Sequence, residues 1–205
     1  MNIIETTLTT QAVFSDDETK RYLLKKTWNA ALPKLTICML APSIASGIEL
    51  DSTTSLVLNN ASALGFGSVS IVNLFATLGG IAEAESEDPE NLKAIIDASQ
   101  DADLIIYAPG VGKAKLQVFQ ERSKQVLEAL LPYEKKLKCL TSASGKTKLL
   151  HPLCPAVRTW RNLAEIRISD LLSKTDTVEP KSTPKKKGKP MVIKKEASAT
   201  PTTLP

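Results

Sequence analysis

Residues 12–28 read AVFSDDETKRYLLKKTW, with apolar positions on both sides of Ser15, Asp16 and Asp17, which predicts two short strands around a turn. KLTICMLAPS is a continuous apolar run of the kind buried on both faces of a parallel sheet. DSTTSLVLNNASALGF follows as a helix, capped by Asp51 or Ser52 and ending near Gly65. SVSIVNLFA is a second buried strand, and DPENLKAIIDAS is a helix opened by Asp88 and Pro89. DLIIYAPG is a third strand, KLQVFQERSKQVLEALL a long amphipathic helix and KLKCLTSA a fourth strand. RTWRNLAEIRISDLL is read as the closing helix. Alternating strands and helices imply right-handed crossovers, so the expected fold class is α/β: a mostly parallel sheet with helices on both faces.

Composition adds a boundary. In 205 residues that are 42% hydrophobic there is material for one core with an appendage. The appendage is the end of the chain: from Lys174 onward eight lysines face Asp176, Glu179 and Glu196, a net charge of +5. Residues 1–173 carry 18 basic and 19 acidic groups and are close to neutral. The domain is therefore drawn at 1–173. Residues 174–205, rich in Lys, Pro, Ser and Thr, are expected to be a disordered tail, because so few apolar groups cannot offset the entropy of ordering. Such a polycation either solubilises the protein or condenses on phosphates, and Lys185, Lys186 and Lys187 are its candidates for the DNA backbone.

No apolar run approaches the ~20 residues of a membrane span, and MNIIETTLTT lacks the basic and apolar regions of a signal peptide. Cys38, Cys139 and Cys154 are odd in number and widely spaced, which predicts neither disulfides nor a structural zinc. The expectation is a soluble cytoplasmic protein without metal or cofactor.

Open α/β sheets bind ligands beyond the carboxyl ends of their strands. There the sequence puts Ala41, Pro42 and Ser43 after the first buried strand, Asn73, Leu74 and Phe75 after the second, Pro109 and Gly110 after the third, and His151 and Pro152 after the fourth. His151 is the only histidine. It is either a filler at the edge of the core or the one imidazole of a site, and this convergence favours the site. Asn73 either ties two loops together or reads the edge of a planar ligand on which Phe75 stacks. Two phosphate-loop lookalikes fail: in SASGKTK the first glycine position falls on Leu140, and in YAPGVGKAK it is Tyr107, with Ala114 where a hydroxyl belongs.

CMLAPS, DSTT, SIVNLFAT, DLIIYAPG and HPL, in this order over about residues 12–165, resemble a bacterial family numbered 1643 among the domains of unknown function. That resemblance by itself implies no activity. The same ordered set resembles, more distantly, the uracil-DNA glycosylase superfamily, and this likeness implies roles. Asn73 would hydrogen-bond an extruded base, and His151 would stabilise negative charge on the pyrimidine O2 as the glycosidic bond breaks. Pro42 and Ser43 would line the base pocket. The chain departs from the pattern at Ala41, where several branches carry an acid or Asn that positions water. Asp51 is the nearest carboxylate that could substitute, with Glu49 behind it, and its other reading is a helix cap. Ser43 stands where the uracil-specific branch has a tyrosine, so the pocket would admit a C5-substituted pyrimidine.

The expectation is a DNA glycosylase with catalytic His151 and Asp51 and base-binding Asn73, Phe75, Pro42 and Ser43. It would act on a modified base such as those of some phage genomes, in defence against phage. The alternatives are a non-catalytic module that binds nucleotide, DNA or protein, which Ala41 favours, and an enzyme of free nucleosides.

Overall fold

The computed structural model describes residues 1–43, 49–79, 88–110, 117–145 and 148–175, with side chains to residue 173. Seven strands form one sheet in the order β1-β2-β4-β3-β5-β6-β7. They are β1 (Thr9–Phe14), β2 (Arg21–Thr27), β3 (Lys34–Met39), β4 (Ser68–Asn73), β5 (Leu104–Tyr107), β6 (Leu137–Leu140) and β7 (Leu163–Glu165). The helices are α1 (Ser52–Ala63), α2 (Pro89–Asp101), α3 (Gln117–Ala129) and α4 (Ile168–Thr175).

The expected hairpin is present. Asp17 accepts from the Ser15 hydroxyl at 2.7 Å and the Thr19 N–H at 3.2 Å, which turns the chain between β1 and β2. The mostly parallel sheet is corrected: β4-β3, β3-β5 and β5-β6 are parallel, whereas β1-β2, β2-β4 and β6-β7 are antiparallel. The sheet is mixed, with a parallel centre and antiparallel borders. The hairpin joins the centre through β2, antiparallel to β4, and β7 closes the other border. β7 also overturns the single closing helix. The LAE segment pairs its backbone with β6, and the helix begins only at Ile168, where Glu134 accepts the Ile168 N–H at 2.6 Å. That helix runs to Thr175, past the expected boundary at 173.

Within the centre, β3 leads through α1 to β4 on one side, and β4 leads back through α2 across β3 to β5. Two cores follow, one on each face. Val57 and Ala61 of α1 pack with Leu35, Ile37, Val69 and Ile71. Ile95 of α2, Val126 and Leu127 of α3 and Ile168 of α4 pack with Cys38, Val72, Ile105 and Cys139. Alternate residues of each strand thus serve opposite cores, which is why apolar residues stand on both faces of these strands. Because the winding reverses at β3, the carboxyl ends of β3 and β5 form the switch point beyond which such sheets bind ligands.

Both helix caps read from the sequence are formed. The Asp51 carboxylate accepts the Thr54 N–H at 2.6 Å and the Asp88 carboxylate the Asn91 N–H at 3.0 Å, with Pro89 in the first turn. Gly65, at φ 84°, takes the left-handed conformation that ends α1.

Candidate functional site

The carboxyl ends of β4, β3 and β5 stand side by side. Asn73 pairs with Met39, Cys38 pairs with Tyr107, and the Ala108 N–H donates to the Cys38 carbonyl at 2.8 Å. β4 and β5 flank β3, so their ends lie two strand spacings apart, roughly 10 Å.

His151 is fixed against the β5 end. The Leu149 carbonyl accepts from the Gly110 N–H at 3.0 Å, and the Leu150 N–H donates to the Leu140 carbonyl at 3.1 Å. Leu149 is held at φ 59°, a left-handed backbone that costs a side-chain-bearing residue about 1–2 kcal/mol. Strain of this kind persists only where surrounding bonds over-determine it. The imidazole Nδ1 accepts the Leu153 N–H at 3.2 Å, so in the neutral ring the proton sits on Nε2, which becomes a donor. Burial lowers the imidazole pKa below its ordinary value, and the charge of Asp51 offsets only part of that. The ring is therefore neutral at physiological pH.

Asp51, at the head of α1, is tied on both oxygens: Oδ1 accepts from Thr54 and Oδ2 from the Ser43 hydroxyl. Burial pushes its carboxyl up, but the hydrogen bonds from Ser43 and from Thr54 outweigh it, and the group lies below the usual carboxylate range. It is an anion with little basicity, better suited to holding a water or facing a cation than to abstracting a proton.

Asn73 is 1% exposed, and its amide nitrogen has no hydrogen-bond partner among the described residues. An unpaired buried donor costs roughly 1–3 kcal/mol. It follows Val69 and Ile71 by even steps along β4, so it faces the α1 side of the sheet. Phe75 is different. The strand ends at Asn73, and Phe75 is fully buried in the core on the α2 and α3 side. The structure does not bring it to the same face as Asn73. Pro42 is buried, Ser43 half-buried, and Ala41 packs against the α2 and α3 core. Lys185, Lys186 and Lys187 lie outside the described residues.

Three residues were missed by reading the sequence. Arg122, 1% exposed, donates from Nε to the Leu74 carbonyl at 2.8 Å. Asn91, fully buried, donates to the Asn73 and Leu74 carbonyls at 3.1 and 3.0 Å. Together they hold the bend that presents Asn73. A signal for Arg122 existed: it falls on the same face as Phe119, Val126 and Leu127, where a surface arginine has no place. Arg21, 3% exposed at the start of β2, is the third; burial lowers its guanidinium pKa and the charge of Asp51 opposes this. Nothing in the alternation of β2 marks it.

Residues 21–153 match the model of a family described as "Protein of unknown function (DUF1643)". The chain belongs to this family. No curated protein and no solved structure matches it. The DUF1643 segment contains Arg21, Ser43, Asp51, Asn73, Asn91, Arg122 and His151, and it ends two residues beyond the histidine. β1, β7 and α4 lie outside it.

Among the described residues no cluster of three or more His, Cys, Asp or Glu side chains could hold a metal, and no helix is long and apolar enough to cross a membrane. A cavity of about 480 Å³, lined by Leu137, Cys139, Leu149 and Ile166 among others, lies at the β6-β7 border and contains none of the candidate residues.

Proposed function

We propose that this DUF1643 chain is a DNA glycosylase that removes a pyrimidine base, one with a C5 substituent, and leaves an abasic site. The observation that carries the reading is the state of His151: a neutral imidazole whose Nδ1 is occupied and whose Nε2 carries the proton, with no hydrogen-bond partner among the described residues. A neutral donor that gains strength only as charge develops on a leaving group favours the transition state over the ground state.

In the proposed reaction the C1′–N1 bond breaks and its electron pair leaves with the base. His151 Nε2–H stabilises the charge delocalised onto the base carbonyl. The Asp51 carboxylate faces the cationic sugar and orients water towards C1′. The water oxygen bonds to C1′, one of its protons passes to solvent, and the departed base takes a proton in return. Asn73, whose buried amide nitrogen has no hydrogen-bond partner among the described residues, supplies the hydrogen bond that recognises the base. Extruding a nucleotide costs a few kcal/mol, and burial of the base against this edge offsets it. DNA bearing such bases is found in some phages, so defence against phage is the role we propose.

Ala41 favours a second reading, a binding module without turnover. Purified protein is incubated with matched duplexes carrying uracil, thymine, cytosine, 5-hydroxymethylcytosine or its glucosylated form. Alkali-labile sites are then sought and the liberated base identified by mass. Release from the C5-substituted DNAs at least as fast as from uracil supports the proposal. Release of uracil alone refutes the substrate. No release from any duplex, with binding retained, leaves the module. Activity on free nucleosides but not duplex would make it a nucleosidase.

A further inference from the structure

We propose that Ser43 is a positioning residue that holds the Asp51 carboxylate in register for reaction, beyond its place at an open wall of the base pocket. The inference rests on the reading of Asp51 as the carboxylate of the site. Ser43 follows the end of β3 and Asp51 opens α1, and the side-chain bond between them spans eight positions. A helix cap requires one carboxylate oxygen, and Thr54 already occupies Oδ1 at 2.6 Å. The bond from Ser43 to Oδ2 is not needed for capping. With both oxygens tied, the carboxylate plane is fixed, and the lone pairs left over point in set directions. That is what orienting a water demands.

The site needs such a device because Ala41, at the end of β3, offers only a methyl group. The titratable groups that feel the charge of Asp51 stand on two other elements, Arg21 of β2 and His151 of the loop after β6. Hydrogen bonds from Ser43 and Thr54 keep the carboxyl ionised in spite of its burial. Ser43→Ala therefore does two things at once: it frees the carboxylate to rotate, and it makes it easier to protonate.

The test is a double-mutant cycle on the full chain, combining Ser43→Ala with Asp51→Asn, read as kcat/KM for base release across pH. Ser43→Ala alone is expected to lose roughly tenfold, the worth of one charge-assisted hydrogen bond. Its acid limb should move to higher pH, and Ser43→Thr, which keeps the hydroxyl, should recover most of the loss. In the Asp51→Asn background, Ser43→Ala should cost less than about twofold, since the group it acts through is gone. Equal losses in both backgrounds, or an unmoved acid limb, would overturn the proposal and leave Ser43 as a pocket wall. A carbon-13 titration of the Asp51 carboxyl in wild type and Ser43→Ala separates this failure from that of the glycosylase reading, because it needs no turnover. Titration at higher pH in Ser43→Ala supports the clamp even if no DNA is cut, and identical titration overturns it.

Discussion

Gly110 and His151 are in direct apposition: a Cβ placed on Gly110 would stand 3.1 Å from the His151 Cβ, and Gly110 already has φ +81°. The glycine lies three residues past the end of β5, and the histidine belongs to the loop after β6. A residue without a side chain lets that loop settle on the β5 end without a close contact. Gly110→Ala is expected to fold with a loss of about 1–3 kcal/mol from the left-handed backbone and the contact. It should also shift the imidazole enough to cost roughly a hundredfold in base release. Thermal melts and single-turnover rates check the two separately. Full activity in Gly110→Ala would show that the imidazole need not stand where it does.

Acid should destabilise the protein in two stages. The folded pKa of His151 lies below its ordinary 6.5, so the unfolded chain takes up that proton first. Stability from the buried neutral ring is complete above 6.5 and is lost as pH falls through and below it. The folded pKa of Asp51 lies below 3.8, so its contribution persists to lower pH and is lost only as pH falls through that region. His151 is the single histidine, so His151→Gln should flatten the first stage and leave the second. Denaturation midpoints between pH 8 and pH 5, on the order of one unit to either side of the transition, would reveal it. An unchanged slope in His151→Gln would place the first stage elsewhere.

The central strands were legible because each carries apolar residues on both faces, and the caps at Asp51 and Asp88 were legible because capping is local chemistry. What could not be read depended on partners distant in sequence. The LAE segment of β7 has three residues, too few to show a period, and becomes a strand only because β6 offers an edge. The hairpin was visible, but nothing within it says that β2 will lie antiparallel to β4. At the site, the positions of Ser43, Asn73 and His151 follow from strand ends. The displacement of Phe75 to the opposite core does not, because the bend after Asn73 is set by Asn91 and Arg122 from two other helices.

That bend supplies a third prediction. Arg122→Leu keeps the apolar stripe of α3 but removes the donor to the Leu74 carbonyl and the bond from Nη2 to the Asp88 carbonyl at 3.5 Å. Leu74 retains its bond from Asn91, so the expected loss is about 2 kcal/mol rather than unfolding. Base release should fall by more than the folded fraction accounts for, through Asn73, with KM rising along with the fall in kcat. A change in stability alone would confine Arg122 to the fold.

The last prediction concerns the basic end of the chain. α4 runs to Thr175 and packs through Ile168 on the core beside α3, so a truncation that preserves the domain must stop after Thr175 rather than at residue 173. Seven lysines lie beyond that point. They lie outside the described residues, and their removal is expected to leave the thermal transition within about half a kcal/mol of the full chain. If they neutralise phosphates, each engaged lysine releases counterions, and the logarithm of duplex affinity falls with the logarithm of salt in proportion to their number. The shortened chain should therefore bind duplex more weakly at low salt and with a shallower salt slope, while single-turnover base release at saturating protein is unchanged. Binding isotherms at several salt concentrations decide it. An unchanged slope would refute a role for these lysines in binding duplex.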